Sequence, residues 1–550
     1  MNIKKFSIKK IVPFLLVVSA SVSCKKSLEE FNPSGATAES LFKTPEGFES
    51  GVNAAYTYNR NLYGKEEGYA LLEMGTDIWT NAAFNGSTGV NGIFPQTPLT
   101  TYQGLISDNL WVNTKMWQPC YAAINLVNTA LKSINEAGLS ATRKPVLEGE
   151  LRFLRAWYYY HLVETFGNIH FTLEPTESMV TTANRTGAET VYNQIFADLD
   201  FAVANLPNTT ADYGRATKPV AEAFLAKALL TRGRHQEASN YAKKVITDYG
   251  FRLLPNYADL WKMNNQKNAE VIWAVNYSTN LAFNAGSNLG HSLFLMEYNT
   301  LPGMLRDVEN GFPNVRYMPT LHLLQAFNEQ NDARYNASFK TVWYANQPDA
   351  SKRPPGMNLG DTAVLVSKKA IPAADRAGKK YTIYDVNDVY GANGTPKDRF
   401  HYVSLKKFDD PTRASATEPQ SSRDVFVIRL AELYLVAAEA QFRLGKTDSA
   451  AYFINEVRKR AALPGREAAM QIAPTDVSLD FILDERAREL AGEQVRWYDL
   501  KRTGKLVERV TAYNPDAKPN IKAFHVLRPI PQAQLDAVTN KKEFIQNDGY

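Results

Sequence analysis

The feature that most constrains the fold of this 550-residue chain is an internal repeat. The segment AKALLTRGRHQEASNYAKKVI, which starts at Ala226, aligns without gaps with AEAQFRLGKTDSAAYFINEVR, which starts at Ala438. Small or matching residues coincide at Ala228 and Ala440, Ala238 and Ala450, Gly233 and Gly445, and Val245 and Val457. Small residues at helical spacing let two helices approach closely, and a glycine in the left-handed conformation ends the first helix. Each copy therefore predicts two helices joined by a short turn.

This unit has the tetratricopeptide pattern, and two copies alone cannot bury a core. Apolar periodicity predicts further helices over 46–63, 108–134, 145–166 and 189–206. The aromatic run from Trp157 to Tyr160 faces most directions around one of these helices, which predicts burial on most sides. We therefore predict a mainly α protein, a tetratricopeptide-like superhelix of about four helical hairpins.

The stretch 261–419 has a different character, because it is rich in Asn, Gly and Pro and contains the short β-like runs VIWAVNY, TVWYAN and YTIYDV. We predict loops and small strands inserted between two parts of a helical scaffold, 47–260 and 420–506. A C-terminal segment, 507–550, completes a single composite domain over 47–550. Irregular segments on a rigid frame commonly carry function, so the insertion is the predicted ligand side.

The amino terminus indicates export. Residues 1–23 have lysines followed by the apolar run IVPFLLVVSA, as in a secretory signal peptide. Small Ser21 and Ser23 lead to Cys24, which resembles a bacterial lipoprotein processing site where the cysteine is acylated; the alternative is a structural cysteine beside an ordinary cleavage site. Residues 24–46 are then a flexible, lipid-tethered linker. Cys120 has no disulfide framework around it and is predicted to be a small buried residue.

Charge argues against nucleic acid as a partner. The net charge is +5, but four lysines precede residue 24, and removing them leaves 58 basic against 57 acidic residues. A nearly neutral body has no general attraction to phosphate backbones. The seven scattered histidines, without an HExxH motif, indicate no zinc site, and we expect neither a metal nor a cofactor.

The most enzyme-like motif is ERARELAGE, in which Glu485, Glu489 and Glu493 lie four residues apart and share one helix face. Arginines are interleaved with these carboxylates, and the spacing of Asp484 and Arg488 suits an ion pair. A catalytic carboxylate pair needs a cleft that separates the two pKa values. We therefore predict a structural charge network and no catalysis.

Several segments in order resemble the SusD/RagB family of Bacteroidetes outer-membrane lipoproteins. They are LRFLRAWYYYHLVETFGN at 151–168, NAEVIWAVNY at 268–277, DVFVIRLAELYLVAAEAQFRLGKTDSAAYFINEVRKRA at 424–461, ERARELAGEQVRWYDLKRTGKL at 485–506, and the closing RPIPQAQL and IQNDGY. The resemblance implies a helical scaffold with a loop-rich, nutrient-binding face that lies over a SusC-like TonB-dependent transporter. It also implies a surface-exposed lipoprotein of the outer membrane. Members of the family bind oligosaccharides most often, some bind peptides, and they are not enzymes.

A sugar site needs flat aromatic rings for the apolar face of a pyranose, and planar amides, carboxylates or guanidinium groups for its hydroxyls. Three turn-rich stretches, GTDIWTNAAFNGSTG, YSTNLAFNAGSN and TVWYAN, offer such side chains. The candidates are Asp77, Trp79, Asn81, Phe84 and Asn85 in the first, Tyr277, Phe283 and Asn284 in the second, and Trp343 and Tyr344 in the third. For each ring the alternative is packing on the scaffold. Trp117, Tyr121 and Trp497, by contrast, are predicted to lie in the helical core.

The sequence thus favours a non-catalytic surface protein that captures an oligosaccharide and delivers it to a transporter. Three alternatives stay open. One is a peptide-capturing member of the same family, another is an extracellular glycan hydrolase, and the third is a repeat scaffold that binds only its transporter.

Overall fold

The computed structural model describes residues 41–83, 96–284, 286 and 288–550. The predicted signal peptide 1–23, Cys24, Phe84 and Asn85 lie outside these ranges. The helices in chain order are α1 Pro45–Thr57, α2 Glu66–Leu72, α3 Gln96–Thr101, α4 Gln118–Ser133, α5 Arg143–Phe166, α6 Ala188–Asn205, α7 Lys218–Thr231, α8 His235–Asp248, α9 Gly290–Leu293, α10 Leu321–Gln325, α11 Arg334–Ser338, α12 Ala373–Arg376, α13 Val386–Val389, α14 Leu430–Arg443, α15 Thr447–Arg460, α16 Glu467–Met470, α17 Leu479–Leu490, α18 Arg496–Arg502, α19 Leu506–Tyr513 and α20 Gln532–Ala537.

The strands are short and form small separate sheets. They are β1 Trp79–Asn81, β2 Val271–Val275, β3 Tyr317–Pro319, β4 Phe339–Lys340, β5 Val342–Tyr344, β6 Thr362–Val366, β7 Thr382–Tyr384, β8 Ser404–Leu405 and β9 Val425–Arg429. The antiparallel pairs are β1 with β3, β2 with β9, β4 with β8, and β5 with β6, while β7 joins β6 in parallel. The mainly α class with a strand-bearing insertion is therefore confirmed.

The helical scaffold is a run of packed helices in which each of α4 to α8 contacts the next. Across the insertion, α8 packs on α14, which forms a hairpin with α15, so the two copies of the repeat are stacked neighbours. The turn glycines Gly233 and Gly445 have φ of +73° and +74°, the left-handed conformation predicted from the repeat. The repeat glycines therefore end α7 and α14 as predicted.

Helix α5 is the central element of this scaffold. All of its residues from Leu151 to Phe166 are buried except Arg152, which confirms the prediction for the aromatic run. The polar tips find partners, since Trp157 Nε1 donates to Asn59 Oδ1 at 3.0 Å and Tyr158 Oη donates to the Ala55 carbonyl at 2.7 Å. Trp117 and Trp497 are also buried and Tyr121 is partly buried, as predicted for core residues. Cys120 is buried as well.

The first described helix begins with Pro45 at its first turn, where a missing N–H costs nothing, and Thr44 accepts a hydrogen bond from Gly47 N. Phe42, before the helix, is buried, and its ring meets Phe48 at 5.7 Å between centroids. The packed domain therefore begins before the predicted boundary at 47, and the last residues of the predicted linker 24–46 belong to it.

The insertion differs from the prediction in having a hydrophobic core of its own. Strands β2 and β9 pair from Val271 with Arg429 to Val275 with Val425, which brings the two ends of the insertion together. Between them a second cluster of buried residues includes Trp261, Phe294 and Trp343. Residues 69–82, which the sequence placed in the helical scaffold, supply Tyr69 and Trp79 to this second core. The β-like runs VIWAVNY, TVWYAN and YTIYDV form β2, β5 and β7, as predicted.

Over the described ranges, the helices are too short or too polar to cross a membrane.

Candidate ligand-binding site

Trp79 lies in β1 and is completely buried, so the prediction that its ring stacks on a ligand is wrong in this structure. The ring packs against Phe294, with 4.7 Å between the ring centroids, and its Nε1 donates to Glu73 Oε1 at 3.1 Å. The physical reason is the pairing of β1 with β3, which places Trp79 beside Pro319 in the core of the insertion.

Asp77 is also buried and is held by two arginines. Arg496 Nε and Nη2 donate to its two carboxylate oxygens at 2.8 and 2.6 Å, and Arg509 Nε donates to Oδ2 at 2.7 Å. Burial opposes ionisation of this carboxyl, but Arg496 and Arg509 outweigh burial and hold the pKa of Asp77 well below its usual range. Asp77 is therefore a structural anion and not a ligand contact, which corrects the prediction.

Three further candidates are buried. Tyr277 donates from its hydroxyl to the Tyr63 carbonyl at 2.6 Å. Asn284 closes a turn by accepting from Ser278 N at 2.7 Å and donating to the Ser278 carbonyl at 2.9 Å. The Trp343 ring lies parallel to the ring of Tyr298, with 6.4 Å between centroids, in the core of the insertion. The predicted ligand contacts of these three side chains are wrong because each completes internal packing.

Phe283 and Tyr344, in contrast, are exposed by 68% and 59%. Phe283 ends a short helical turn, Leu281–Phe283, and Tyr344 ends β5 in the three-stranded sheet. These two rings are free to meet a ligand, but they stand on different elements of the insertion. Their role in binding stays a prediction.

The remaining described candidate, Asn81, lines an open cavity of about 360 Å³. This volume is in the range of small-molecule and sugar sites. The other lining residues come from distant parts of the chain and are Ala82, Gln96, Thr97, Thr101, Gln103, Arg316, Arg399 and Asp516. Amides, hydroxyls, guanidinium groups and a carboxylate therefore converge on one cavity.

Backbone pairing beyond β1 assembles this cavity. Ala82 N donates to the Arg316 carbonyl at 2.9 Å, and Ala83 N donates to the Arg399 carbonyl at 2.8 Å. The Asn81 side chain accepts from Thr100 Oγ1 at 2.9 Å, which ties it to α3. Thr80 Oγ1 donates to Asp516 Oδ2 at 2.6 Å, which draws in the segment after α19. The extended chain at 80–83 thus gathers three distant segments around one opening.

Gln96 lines this cavity but is only 5% exposed. Among the described residues, its buried Oε1 has no hydrogen-bond partner. An amide group can both donate to and accept from a sugar hydroxyl, so Gln96 is a candidate hydrogen-bond partner for a ligand. Next to Arg399 along the chain, the Phe400 ring is 40% exposed. Its ring is a candidate stacking surface for a sugar that extends from the cavity.

The enzyme-like carboxylates of α17 lie elsewhere, deep in an ion-pair network. Arg334 Nη1 contacts Glu485 Oε1 at 2.7 Å and Glu489 Oε2 at 2.9 Å. Arg429 reaches Glu489 at 2.7 Å and Glu493 at 2.6 Å. Glu485 and Glu489 are fully buried, and Glu493 nearly so. The predicted charge network is confirmed.

One detail of that network differs from the prediction. Arg488 pairs with Glu485 at 2.8 Å instead of with Asp484. Asp484 turns to Arg509 and lies 3.5 Å from His322 Nε2. The i, i+4 spacing permits a pair between Asp484 and Arg488. Arg488 instead pairs with the buried carboxylate of Glu485, and Asp484 pairs with Arg509. Among the residues described, no three His, Cys, Asp or Glu side chains cluster as a metal site would require.

Among the residues that line this cavity, the sequence analysis singled out Asn81 but not Gln96, Arg316, Arg399 and Asp516. These residues are separated by up to several hundred positions, and none belongs to a recognisable motif. A lone Arg in a loop gives no local signal of the cavity that it lines. The contacts of residues 80–83 with α3, Arg316, Arg399 and Asp516 bring them together.

Comparison with known sequences identifies relatives over the whole chain. The profile of the SusD family matches residues 261–550, and a second profile, described as starch-binding associating with outer membrane, matches residues 78–230. SusD-like protein P2 of Formosa agariphila is 27% identical over 564 residues, covering 100% of both chains. SusD-like protein P25 of the same organism is 26% identical over 546 residues, covering 96% of each.

A solved structure gives the same result for the fold. A laminarin binding SusD-like protein superposes with a TM-score of 0.66 at 25% sequence identity, covering 92% of this chain and 100% of that one. The segments matched by the two family profiles include parts of both the helical scaffold and the strand-bearing insertion. Because the family profile alone spans more than half of the chain, the protein belongs to the SusD family.

Proposed function

We propose that this protein binds an oligosaccharide or polysaccharide at the cell surface without altering it, and delivers it to a TonB-dependent transporter of the outer membrane. The observation that carries the proposal is the cavity lined by Asn81, Gln96, Arg399 and Asp516, with the exposed ring of Phe400 next to Arg399 along the chain. Membership of the SusD family supports the same function, since one family profile is described as starch-binding and one similar structure as laminarin binding.

The chemistry of the cavity suits sugar hydroxyls. A hydroxyl both donates and accepts, and the cavity offers acceptors on Gln96 and Asp516 and donors on Gln103 and Arg399. Planar side chains can address two adjacent hydroxyls at once, which fixes the orientation of a ring. Phe400, together with the exposed rings of Phe283 and Tyr344, offers apolar faces for stacking. Reversible binding of a sugar without bond cleavage requires only these hydrogen-bonding groups and aromatic rings.

The membrane anchor and the transporter belong to the same proposal. Cys24 is the proposed lipidation site, on the sequence pattern alone. Acyl chains on Cys24, at the end of a linker, would hold the protein at the outer membrane while its binding face moves over the transporter, since each buried methylene contributes about 0.8 kcal/mol. Cell fractionation tests the anchor. The wild type should sediment with outer membranes and Cys24→Ser should not, whereas sedimentation of both would contradict lipidation at this residue.

Binding is tested by isothermal titration of the soluble Cys24→Ser protein against laminarin, starch, xylan, mannan and alginate. We expect one of these glycans to bind, and Phe400→Ala to weaken that binding by about three- to tenfold, as the loss of one aromatic contact does. Tyr452→Ala is the matched control, because Tyr452 is 57% exposed on α15 of the helical scaffold. Gln96→Ala should also weaken binding.

Two results would refute this proposal. Failure of every glycan, together with binding of a peptide library, would transfer the function to peptide capture. Release of shorter products from a bound polysaccharide would show a hydrolase. Equal effects of Phe400→Ala and Tyr452→Ala would exclude only the Phe400 ring from the binding site.

A further inference from the structure

We propose that the cavity selects uncharged glycans, and that Asp516 sets this preference by neutralising Arg399. The inference rests on the proposed function and names the substrate class for the same site. It comes from the charged residues around the cavity, whose positive and negative charges are equal in number.

Among the lining residues that the structure describes, the charged ones are Arg316, Arg399 and Asp516. Arg316 Nε forms an ion pair with Glu66 Oε1 at 2.9 Å. Each arginine of the lining therefore has one carboxylate partner. The local net charge is zero.

The pair between Arg399 and Asp516 has the geometry of a strong one. Arg399 Nη1 donates to Asp516 Oδ2 at 2.9 Å, and Nη2 donates to Oδ1 at 2.7 Å. A two-point contact between guanidinium and carboxylate is the most favourable arrangement of these groups. The Asp516 side chain is 14% exposed and that of Arg399 32%, so the pair is partly removed from water yet still borders the opening.

An anionic ligand would have to compete with Asp516 for Arg399. A uronate or sulfate group placed here loses its water, meets no unbalanced positive charge and lies close to the Asp516 carboxylate. A neutral sugar has no such penalty, because its hydroxyls can donate to the remaining lone pair of Asp516 Oδ1 and accept from the Gln103 amide. The same residues therefore favour hydroxyls and disfavour anions.

The test compares neutral with anionic glycans on the soluble Cys24→Ser protein. The neutral probes are laminarin, starch, xylan and mannan, and the anionic probes are alginate, polygalacturonate and carrageenan. We expect binding of at least one neutral glycan and no binding of the anionic ones. Because no net charge is involved, affinity for the neutral glycan should change by less than about twofold between low and high salt.

The variant Asp516→Asn leaves Arg399 without its counter-ion and gives the cavity a net charge of +1. We expect this variant to gain affinity for an anionic probe by about tenfold or more, and this gain should disappear at high salt. Asp248→Asn is the control. It removes one carboxylate from the protein at an exposed position of α8, where Asp248 pairs with Lys244 at 3.2 Å.

The outcomes separate the two proposals. Binding of an anionic glycan by the wild type, as tightly as any neutral one, overturns the selectivity but sustains the glycan-binding function. Binding of no glycan removes both. Equal behaviour of Asp516→Asn and Asp248→Asn overturns the role of Asp516. If Asp516→Asn does not fold, as judged by circular dichroism, the wild-type panel and its salt dependence decide the selectivity.

Discussion

The replacement Asp77→Asn separates the structural role found for Asp77 from the ligand-binding role that its sequence context predicted. The carboxylate is completely buried and accepts three charge-assisted hydrogen bonds, two from Arg496 and one from Arg509. An asparagine keeps one acceptor, but its NH₂ group faces guanidinium N–H groups, so two arginines lose their counter-ion. Removing one partner of a buried ion pair costs about 3–5 kcal/mol.

We expect the free energy of unfolding of Asp77→Asn to fall by that amount. Urea unfolding at neutral pH, followed by tryptophan fluorescence, measures it. Asp248→Asn makes the same chemical change at an exposed ion pair, where the loss should be at most about 1 kcal/mol. Folded Asp77→Asn should bind glycan with unchanged affinity, since the side chain does not reach the cavity.

Two results would refute this reasoning. If Asp77→Asn and Asp248→Asn unfold at the same urea concentration, the buried ion pairs do not stabilise the fold. If Asp77→Asn keeps its stability and loses glycan binding, Asp77 contacts the ligand after all.

Two further predictions concern the scaffold. Burial opposes ionisation of Glu489, but Arg460, Arg429 and Arg334 outweigh it and lower the pKa from 4.5 to about 2. The unfolded chain therefore binds more protons than the native protein between these values, and the free energy of unfolding should fall as pH drops through this window. Urea unfolding at about pH 6 and about pH 3 checks this, and equal stabilities would contradict it. Gly445 has φ of +74° and open space where a Cβ would stand, so Gly445→Ala should cost about 1 kcal/mol from backbone strain alone. Gly187→Ala, at φ of −64° and also in open space, should change stability by less than about 0.5 kcal/mol, and an equal loss in both would show that the left-handed turn is not the cause.

The helical scaffold could be predicted because its signals are local. Helix α5 was predicted over 145–166 and spans Arg143–Phe166, and α6 was predicted over 189–206 and spans Ala188–Asn205. Both helices were predicted from apolar periodicity and flanking residues, and these signals lie within a few turns of the helix itself. The short strands β2, β5 and β7 were also found, since β-branched and aromatic residues cluster in them.

The candidate binding residues could not be predicted in the same way. An aromatic ring in a turn-rich segment has the same local appearance whether it faces solvent or a core. Trp343 is buried while its neighbour Tyr344 is 59% exposed, because successive residues of a strand point to opposite faces. Which face is covered depends on how β6 and the rest of the insertion pack against β5.

The sequence by itself determined the stacked helical hairpins, their glycine turns and the presence of a strand-bearing insertion, because these follow from spacing over a few residues. Tertiary structure alone decided that Trp79 and Asp77 are internal and that Asn81, Gln96, Arg399 and Asp516 share a cavity. The physical reason is that burial and charge balance depend on contacts between segments hundreds of residues apart, such as β1 with β3 and Arg399 with Asp516.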